Sequence, residues 1–468
     1  MSSWIECNKT LLMTQLDKEK KTFYLICLYH IIVWTILPFL ANKNLPLDTI
    51  EALAWGNSFD LGYNKHPPLS AWIPGLLFKF FGNKDFIYYL LSQLFIVLAL
   101  IYVRKIAKIF LKKKISITLS FLILESIAFF NFETPQFNVN ICQIPFWIMT
   151  IYFFWQGIEK NKFIDWFFLG IVSAFGLLTK YIFVYLLISL FIYFIYDFFL
   201  KNKKNYNFVI SISILILIIS PHFAWLINND YTTIHYALKR ASINEFHLLN
   251  NFINPLKFLI KQSVILSLFL LSLLILKINF KKKIIYNKKF IFLSTATILP
   301  LILILLTSIV TGSFIKTMWM VPFYISAGIF VIFIFENQIN KKNIINFNLF
   351  IILLLIAYPA AYSIRSVYFD KRVGYDGKKI AEDINKEWIS LSKSELKHVG
   401  FSEWYAGNLS YHLKSRPKVF LEDNENFYKQ PAIVISKGVG PSLCNKNYKN
   451  LRNIIYKKID DHDVCFIF

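Results

Sequence analysis

Asp48 and Glu51 stand three residues apart in LPLDTIEALAW. On a helix that spacing puts both carboxylates on one face. Such a pair can take a proton from an acceptor hydroxyl as general base. The same DxxE spacing also serves as a helix-capping arrangement. Leu53, Ala54 and Trp55 supply an apolar side, so the stretch reads as an amphipathic helix at a membrane surface. Further on, GYNKHPPLSAW sets Lys65 and His66 beside a Pro-Pro step. A proline forces extended backbone on the residue before it. That fixes His66 against the start of the next helix, either as a binding group or as part of a turn.

A second short segment, FNFETPQFNVNICQIPFW (129–146), carries Glu133, Gln136, Asn138 and Asn140 and no basic residue. In LTKYIFVYL (178–186), Lys180 and Tyr181 lie between two apolar runs. A lysine there either snorkels to the interface or anchors a lipid phosphate as a point charge. SPHFAWLINNDYTTIHYALKRAS (220–242) adds Lys239 and Arg240, and TGSFIKTMWMVP (311–322) adds Lys316. All four cations fall in loops of the side where topology disfavours them. Lys180, Lys239, Arg240 and Lys316 are therefore expected to converge on one phosphate-bearing ligand.

The elements that must position these groups are apolar. Hydrophobic residues make up 56% of the 468 residues and the mean hydropathy is +0.49, above the composition of soluble domains. Runs of about 17–20 apolar residues have the length of bilayer-spanning helices. They predict an all-α polytopic membrane protein with about eleven spans. These lie near 23–41, 86–103, 115–131, 141–157, 164–179, 181–199, 208–227, 259–276, 290–310, 318–335 and 348–364. The loops at 1–22, 104–114, 159–162, 201–205, 277–289 and 336–342 hold more than twice the Lys and Arg of the alternate loops. By the positive-inside rule they are cytoplasmic, with the N-terminus. An odd number of spans then places residues 365–468 outside, together with loops 42–85 and 228–258. The tail's PAIVISKG and DVCFIF suggest a small α/β domain following a transmembrane domain of 1–364. The net charge of +23 sits largely in short loops, which argues against a nucleic-acid partner. Of the five cysteines none forms a CxxC pair, which argues against zinc or redox motifs. Cys444 and Cys465 share the tail, where an extracytoplasmic location would permit a disulfide.

In order along the chain, LDTIEALAWGNSFDLGYNKHPPLSAW, FNVNICQIPFW, GLLTKYIFVYLL, SPHFAWLINNDYTT, TGSFIKTMWMVP and EWYAGNLSYHLKSRPKVF resemble a known family. It is the bacterial membrane glycosyltransferases of the dolichyl-phosphate-mannose-protein mannosyltransferase class, with the GT-C fold. Within it the chain is most similar to lipid A aminoarabinose and galacturonosyl transferases. The resemblance implies a polyprenyl-phosphate-linked sugar donor. It implies a lipid or polysaccharide acceptor (lipid A, core or another envelope glycan) at the outer face of the inner membrane, and inversion by direct displacement. Asp48 matches the acidic residue of the family's first outer loop. HPPL at 66–69 matches its HPP or KPP, and Lys180 matches the Lys of its LTK step. Many relatives have Asp where this chain has Gln136, so Glu133 or Asn138 would stand in. Asp48 is thus expected as general base, with Glu51 or Glu133 orienting the acceptor or replacing Asp48 in that role. Lys65, His66, Asn138, Lys180, Tyr181, Lys239, Arg240 and Lys316 are expected to surround substrate and phosphate. No cofactor is required, and a divalent cation is admitted. Two alternatives stay open: a protein O-mannosyltransferase-like enzyme, and a transporter or flippase of lipid-linked sugars. A transporter would need charges along a path through the spans, and Glu125 is one of few. No internal repeat favours it.

Overall fold

The computed structural model describes residues 2–200, 206–241, 249–279, 286–392, 394–420, 431–444 and 454–468. The basic loops at 201–205 and 280–285, and residues 242–248 of the 228–258 loop, lie outside the described residues.

The chain opens with α1 (Ser2–Ala41), then two short helices, α2 (Leu47–Trp55) and α3 (Leu69–Phe81). The bundle continues through α4 (Asp85–Phe110), α5 (Lys114–Leu122), α6 (Val139–Lys160), α7 (Phe163–Thr179), α8 (Val184–Leu200) and α9 (Phe208–Asn228). After α10 (Thr232–Arg240) come α11 (Asn250–Ile265), α12 (Ser267–Ile275), α13 (Lys288–Thr297), α14 (Leu299–Thr311), α15 (Ala327–Phe335) and α16 (Lys341–Ile364). Among the described residues, six helices are long and apolar enough to cross a membrane, and nine spans result when each bent pair counts once. The two remaining expected spans are α7, with 17 residues, and 115–131, which is broken.

That break follows from Glu125. The α-helix stops at Leu122 and two 3₁₀ turns follow. Glu125 is fully buried and its Oε1 lies 3.0 Å from His30 Nε2 on α1. Its freed backbone carbonyl accepts a hydrogen bond from Asn131 Nδ2 at 2.7 Å. Irregular backbone at membrane depth is tolerated when buried and satisfied in this way. The pair is enclosed by the bundle, and we read it as a tie between α1 and the 3₁₀ turn that follows α5.

α6 is the central span: 83% of its apolar window is buried, against 17% for α9 and for α16. The latter two therefore present most of their surface to lipid. Around α6, Trp147 packs on Phe323 at 4.5 Å and edge-on to Phe183 at 5.5 Å.

At one end of the bundle α2 and α3 cross at a glycine contact. A Cβ added at Gly75 would lie 2.4 Å from the Gly56 carbonyl oxygen and 2.8 Å from its Cα. No backbone can yield that much locally, so Gly75→Ala must separate the two helices. The expected loss is about 1–3 kcal/mol from overpacking, read as a lowered thermal midpoint of the full chain in detergent. An unchanged midpoint would contradict the close crossing.

The C-terminal unit begins with α17 (Gly377–Leu391) and contains β1 (His398–Phe401), α18 (Glu403–His412), β2 (Lys418–Phe420), β3 (Ala432–Ser436), β4 (Ile454–Ile459) and β5 (His462–Ile467). The strands form one mixed sheet of order β2-β1-β3-β5-β4. β1 pairs parallel with β2 and β3, and β5 pairs antiparallel with β3 and β4. Strict alternation sends Ile433, Ile435, Val464 and Phe466 toward Trp388 and Ile384 of α17. Ala432, Val434, Cys465 and Ile467 line the opposite face with Phe420. Cys444 and Cys465 form a disulfide across that face, with Cα atoms 5.5 Å apart.

This unit is seated on α2. Gly407 of α18 lies against Ile50, leaving no room for a side chain. Asn44 Nδ2 donates to Asn408 Oδ1 at 2.8 Å, and the Tyr411 hydroxyl donates to Asp85 at 2.5 Å. Arg416 stacks on Phe78 at 3.7 Å and donates to the Leu53 carbonyl. Tyr411 joins Leu45, Ile50, Leu53, Tyr88 and Tyr89 in one apolar cluster.

Candidate active site

A cavity of about 520 Å³ opens where α2, the Lys65–Pro67 turn, the start of α6, the α7–α8 junction and α10 meet. Asp48 sits in the first turn of α2, with Pro46 at the cap position. That end of a helix favours negative charge. Asp48 and Glu51 both line the cavity, as their spacing requires. Neither makes a DxxE cap hydrogen bond: Pro46 holds the cap position and no side chain closes it. Thr49, on the next face, donates to the Phe137 carbonyl at 3.0 Å and ties α2 to the 129–146 segment.

Lys180 occupies the one-residue break between α7 and the following 3₁₀ turn. It is 9% exposed, so it does not snorkel to solvent. Its Nζ donates to Asn140 Oδ1 at 2.8 Å and lies 5.2 Å from the Trp319 ring centroid. Gln143 fixes the lysine's backbone by donating to the Lys180 carbonyl at 2.8 Å. With only a neutral amide and an aromatic face in contact, burial lowers the Lys180 pKa to about 7, Asp48 opposing the shift and Lys316 adding to it, so the lysine is fully charged only below neutral pH or when an anion enters the cavity.

Lys65 bridges two carboxylates. Its Nζ meets Glu51 Oε1 at 3.1 Å and also pairs with Glu403 of α18. Glu403 further accepts from Asn64 Nδ2 at 3.3 Å. The C-terminal unit thereby grips the turn that precedes the two prolines. His66 packs edge-on between Trp55 and Tyr236 and lines the cavity. Thr233 donates to the Tyr63 carbonyl at 2.6 Å, and His222 joins the Tyr181 hydroxyl to the Leu61 carbonyl, each at 2.7 Å. So α9 and α10 staple the 57–68 loop from the other side.

Burial raises the Asp48 carboxyl above its ordinary value, and Lys180 is the charge that opposes this most, ahead of Lys65, Arg372 and Arg240. Glu51 is pushed up to about 7, first by burial and then by Glu403 and Asp48, with Lys65 pulling back. Burial works against the Lys65 charge, but Glu51 and Glu403 together hold its pKa above the usual value. His66 falls well below its usual value through burial and the charges of Lys180, Lys65 and Arg240. His66 is therefore neutral near pH 7 and offers a phosphate a hydrogen bond rather than a charge.

The Glu51 shift gives a direct test. The native state holds a proton that the unfolded chain releases above pH 4.5, up to about 7. Its contribution therefore lowers stability as pH rises through that window. Carbodiimide modification, which requires the protonated carboxyl, is expected at Glu51 with a midpoint near pH 7. Glu403→Gln removes a repelling charge and leaves Lys65 to Glu51 alone, so the midpoint moves lower. Glu51 labelling already lost at pH 5 in the native chain would contradict this arrangement.

Of the residues singled out in the sequence, Asp48, Glu51, Lys65, His66, Asn138, Lys180, Tyr181 and Arg240 line the cavity. Asn138 also caps α6, its Oδ1 accepting from the backbone N–H of Asn140 and Ile141. Glu133, Lys239 and Lys316 are not in the lining. Glu133 pairs with Arg365 at 3.3 Å, Lys239 is exposed on α10, and Lys316 is half-buried, close enough for its charge to act on Lys180. Asn140, Trp55, Tyr185, Tyr236 and Trp319 also line the cavity, and Glu403 reaches its edge through Lys65. Asn140 was readable two residues after Asn138. Glu403 gave no local signal, because only the docking of α18 brings it there. Among the described residues no group of three His, Cys, Asp or Glu side chains is gathered to hold a metal ion.

Residues 65–225 match the family model of dolichyl-phosphate-mannose-protein mannosyltransferases. A search of curated proteins returns no significant match. Two crystal structures of ArnT from Cupriavidus metallidurans share the fold. The one bound to undecaprenyl phosphate superposes with a TM-score of 0.66 at 11% identity, covering 96% of this chain and 98% of that one. The apo form gives 0.62 at 11% identity, covering 95% and 97%. The chain has the GT-C fold: a multi-pass helical membrane part followed by a small C-terminal α/β unit.

Proposed function

We propose that this GT-C membrane protein, matched over residues 65–225 to the dolichyl-phosphate-mannose-protein mannosyltransferases, is a glycosyltransferase. It moves a sugar from a polyprenyl-phosphate donor to a lipid A, core or other envelope acceptor at the periplasmic face of the inner membrane. One observation carries the reading. Two carboxylates of one helix turn, Asp48 and Glu51, share a single cavity with the cations Lys65, Lys180 and Arg240.

The cavity's cationic wall suits the donor phosphate, which is the leaving group. Lys180 and Arg240 stabilise the charge that develops on it as the bond to the sugar's anomeric carbon breaks. Ile182, Ile304, Ile315 and Met318 in the same wall provide an apolar exit for a prenyl chain. Asp48 takes the proton of the acceptor hydroxyl as its oxygen bonds to the anomeric carbon from the opposite side. The outcome is inversion at that carbon. Glu51 and Lys65 hold the turn carrying His66, which donates a hydrogen bond to phosphate or sugar.

Mass spectrometry of lipid A and of the whole envelope, including glycopeptides, tests the reading. Cells expressing the native chain should carry a sugar-mass addition on one class of acceptor that cells expressing Asp48→Asn lack. Identical profiles would contradict it. An addition confined to glycopeptides would move the acceptor from lipid to protein.

A further inference from the structure

One buried hydroxyl in the wall of the active-site cavity has no partner. Ser70 lies in the first turn of α3, is 1% exposed and lines the cavity beside Pro67. Its Oγ makes no hydrogen bond. A serine in a helix can close onto a carbonyl of the preceding turn. The fully buried Ser120, Ser189 and Ser272 do so, donating to the carbonyls of Ile117, Tyr185 and Phe269. Ser70 does not, and the carbonyl four residues before it, that of His66, accepts from the Tyr63 N–H at 3.1 Å. Ser116 and Ser294 also lack a partner, but neither lines this cavity. A polar group left buried and unpaired costs stability, and at a cavity wall a ligand atom is the partner that accounts for it.

The backbone beside Ser70 adds donors. Pro67 and Pro68 have no N–H. The first N–H groups of α3 are therefore those of Leu69 and Ser70, and among the described residues neither has an acceptor. Unsatisfied N–H groups and the positive end of the helix dipole thus collect where the Ser70 hydroxyl is free. Besides burial, it is the charges of Lys180, Lys65 and Arg240 that act on His66, four residues before Ser70. The start of α3 therefore belongs to the cationic part of the wall, which attracts anions. Its place relative to Asp48 is fixed by the α2–α3 crossing, where a Cβ at Gly56 would lie 2.3 Å from the Ala71 carbonyl oxygen.

We propose that the Ser70 hydroxyl and the free N–H groups at the start of α3 donate hydrogen bonds to a phosphate oxygen of the polyprenyl-phosphate donor. Ser70 then stands beside His66 as a second neutral donor. It acts with Lys180 on the charge that develops as the phosphate leaves. Naming that phosphate the leaving group rests on the glycosyltransferase reading above; its binding at Ser70 does not.

Ser70→Ala in the purified full chain in detergent tests this, with undecaprenyl phosphate and undecaprenol as probes. Binding of undecaprenyl phosphate is expected to weaken about 10–100-fold, the effect of losing a hydrogen bond to a charged group. Binding of undecaprenol should not change. Without ligand the thermal midpoint of the variant should stay level or rise, because the substitution deletes an unpaired buried polar atom. A lower midpoint without ligand would overturn the inference, since the hydroxyl then serves the fold. Undecaprenyl phosphate held within about threefold of the native affinity, less than such a bond contributes, would overturn it as well. So would an equal loss for undecaprenol, which has no phosphate. None of these readouts involves sugar transfer, so their failure leaves the glycosyltransferase proposal standing. A chain that binds undecaprenyl phosphate through Ser70 but transfers no sugar sinks that proposal alone.

Discussion

Asp48→Asn is expected to lower sugar transfer by about 10²–10⁴-fold, the usual contribution of a positioned general base. The substitution is nearly isosteric, so the first turn of α2 and its tie through Thr49 to Phe137 are kept. It also removes a negative charge that acts on Lys180. That charge favours the protonated form of Lys180, whose pKa burial has lowered to about 7, so polyprenyl phosphate binding should fall at neutral pH and recover as pH is lowered, while turnover stays collapsed throughout. That split separates a base from a merely structural aspartate, whose loss would weaken binding and stability together at any pH. Transfer retained within about threefold, well below any general-base contribution, would remove Asp48 from the chemistry.

Lys180→Gln is expected to cost about 10²–10³-fold in transfer, the range seen when one preorganised donor to a developing anion is lost. It should also weaken polyprenyl phosphate binding, and unlike the loss in Asp48→Asn this one does not recover as pH is lowered. Lys180 is the charge that most restrains the upward shift of Asp48, so its loss moves the acidic limb of any residual activity to higher pH. Lys180→Arg should rescue poorly. A planar guanidinium does not reproduce a compact ammonium held between Asn140 Oδ1 and the Trp319 face. Near-native transfer by Lys180→Gln would return this lysine to the role of a buried cation that only packs.

What could be read from the sequence follows from how local each signal is. The spans are visible because a run of some twenty apolar residues needs no partner to declare itself. The exception proves instructive: 115–131 has the length of a span, but a buried Glu125 needs His30, and the helix breaks to make that pair. The Asp48–Glu51 face and the buried Lys180 were readable because a charge in an apolar setting stands out. Glu133 looked equivalent to them on residue type, yet Arg365, far along the chain, pairs with it outside the cavity. Lys239 and Arg240 are adjacent in sequence, and only the rotation of α10 decides that Arg240 alone lines the wall. Glu403 acquires meaning only when the C-terminal unit docks and brings it to Lys65. The strand order of that unit, with β1 between β2 and β3, cannot be read from short alternating segments.

The most direct test of the central claim is release of free polyprenyl phosphate from a polyprenyl-phosphate sugar by the purified full chain. It should be measured with and without an envelope lipid extract, in the native chain and in Asp48→Asn. The account predicts release that depends on the extract and is lost in the variant, with the sugar recovered on an extract component. Release that is equal in both proteins, or absent from both across the available donor sugars, would contradict it.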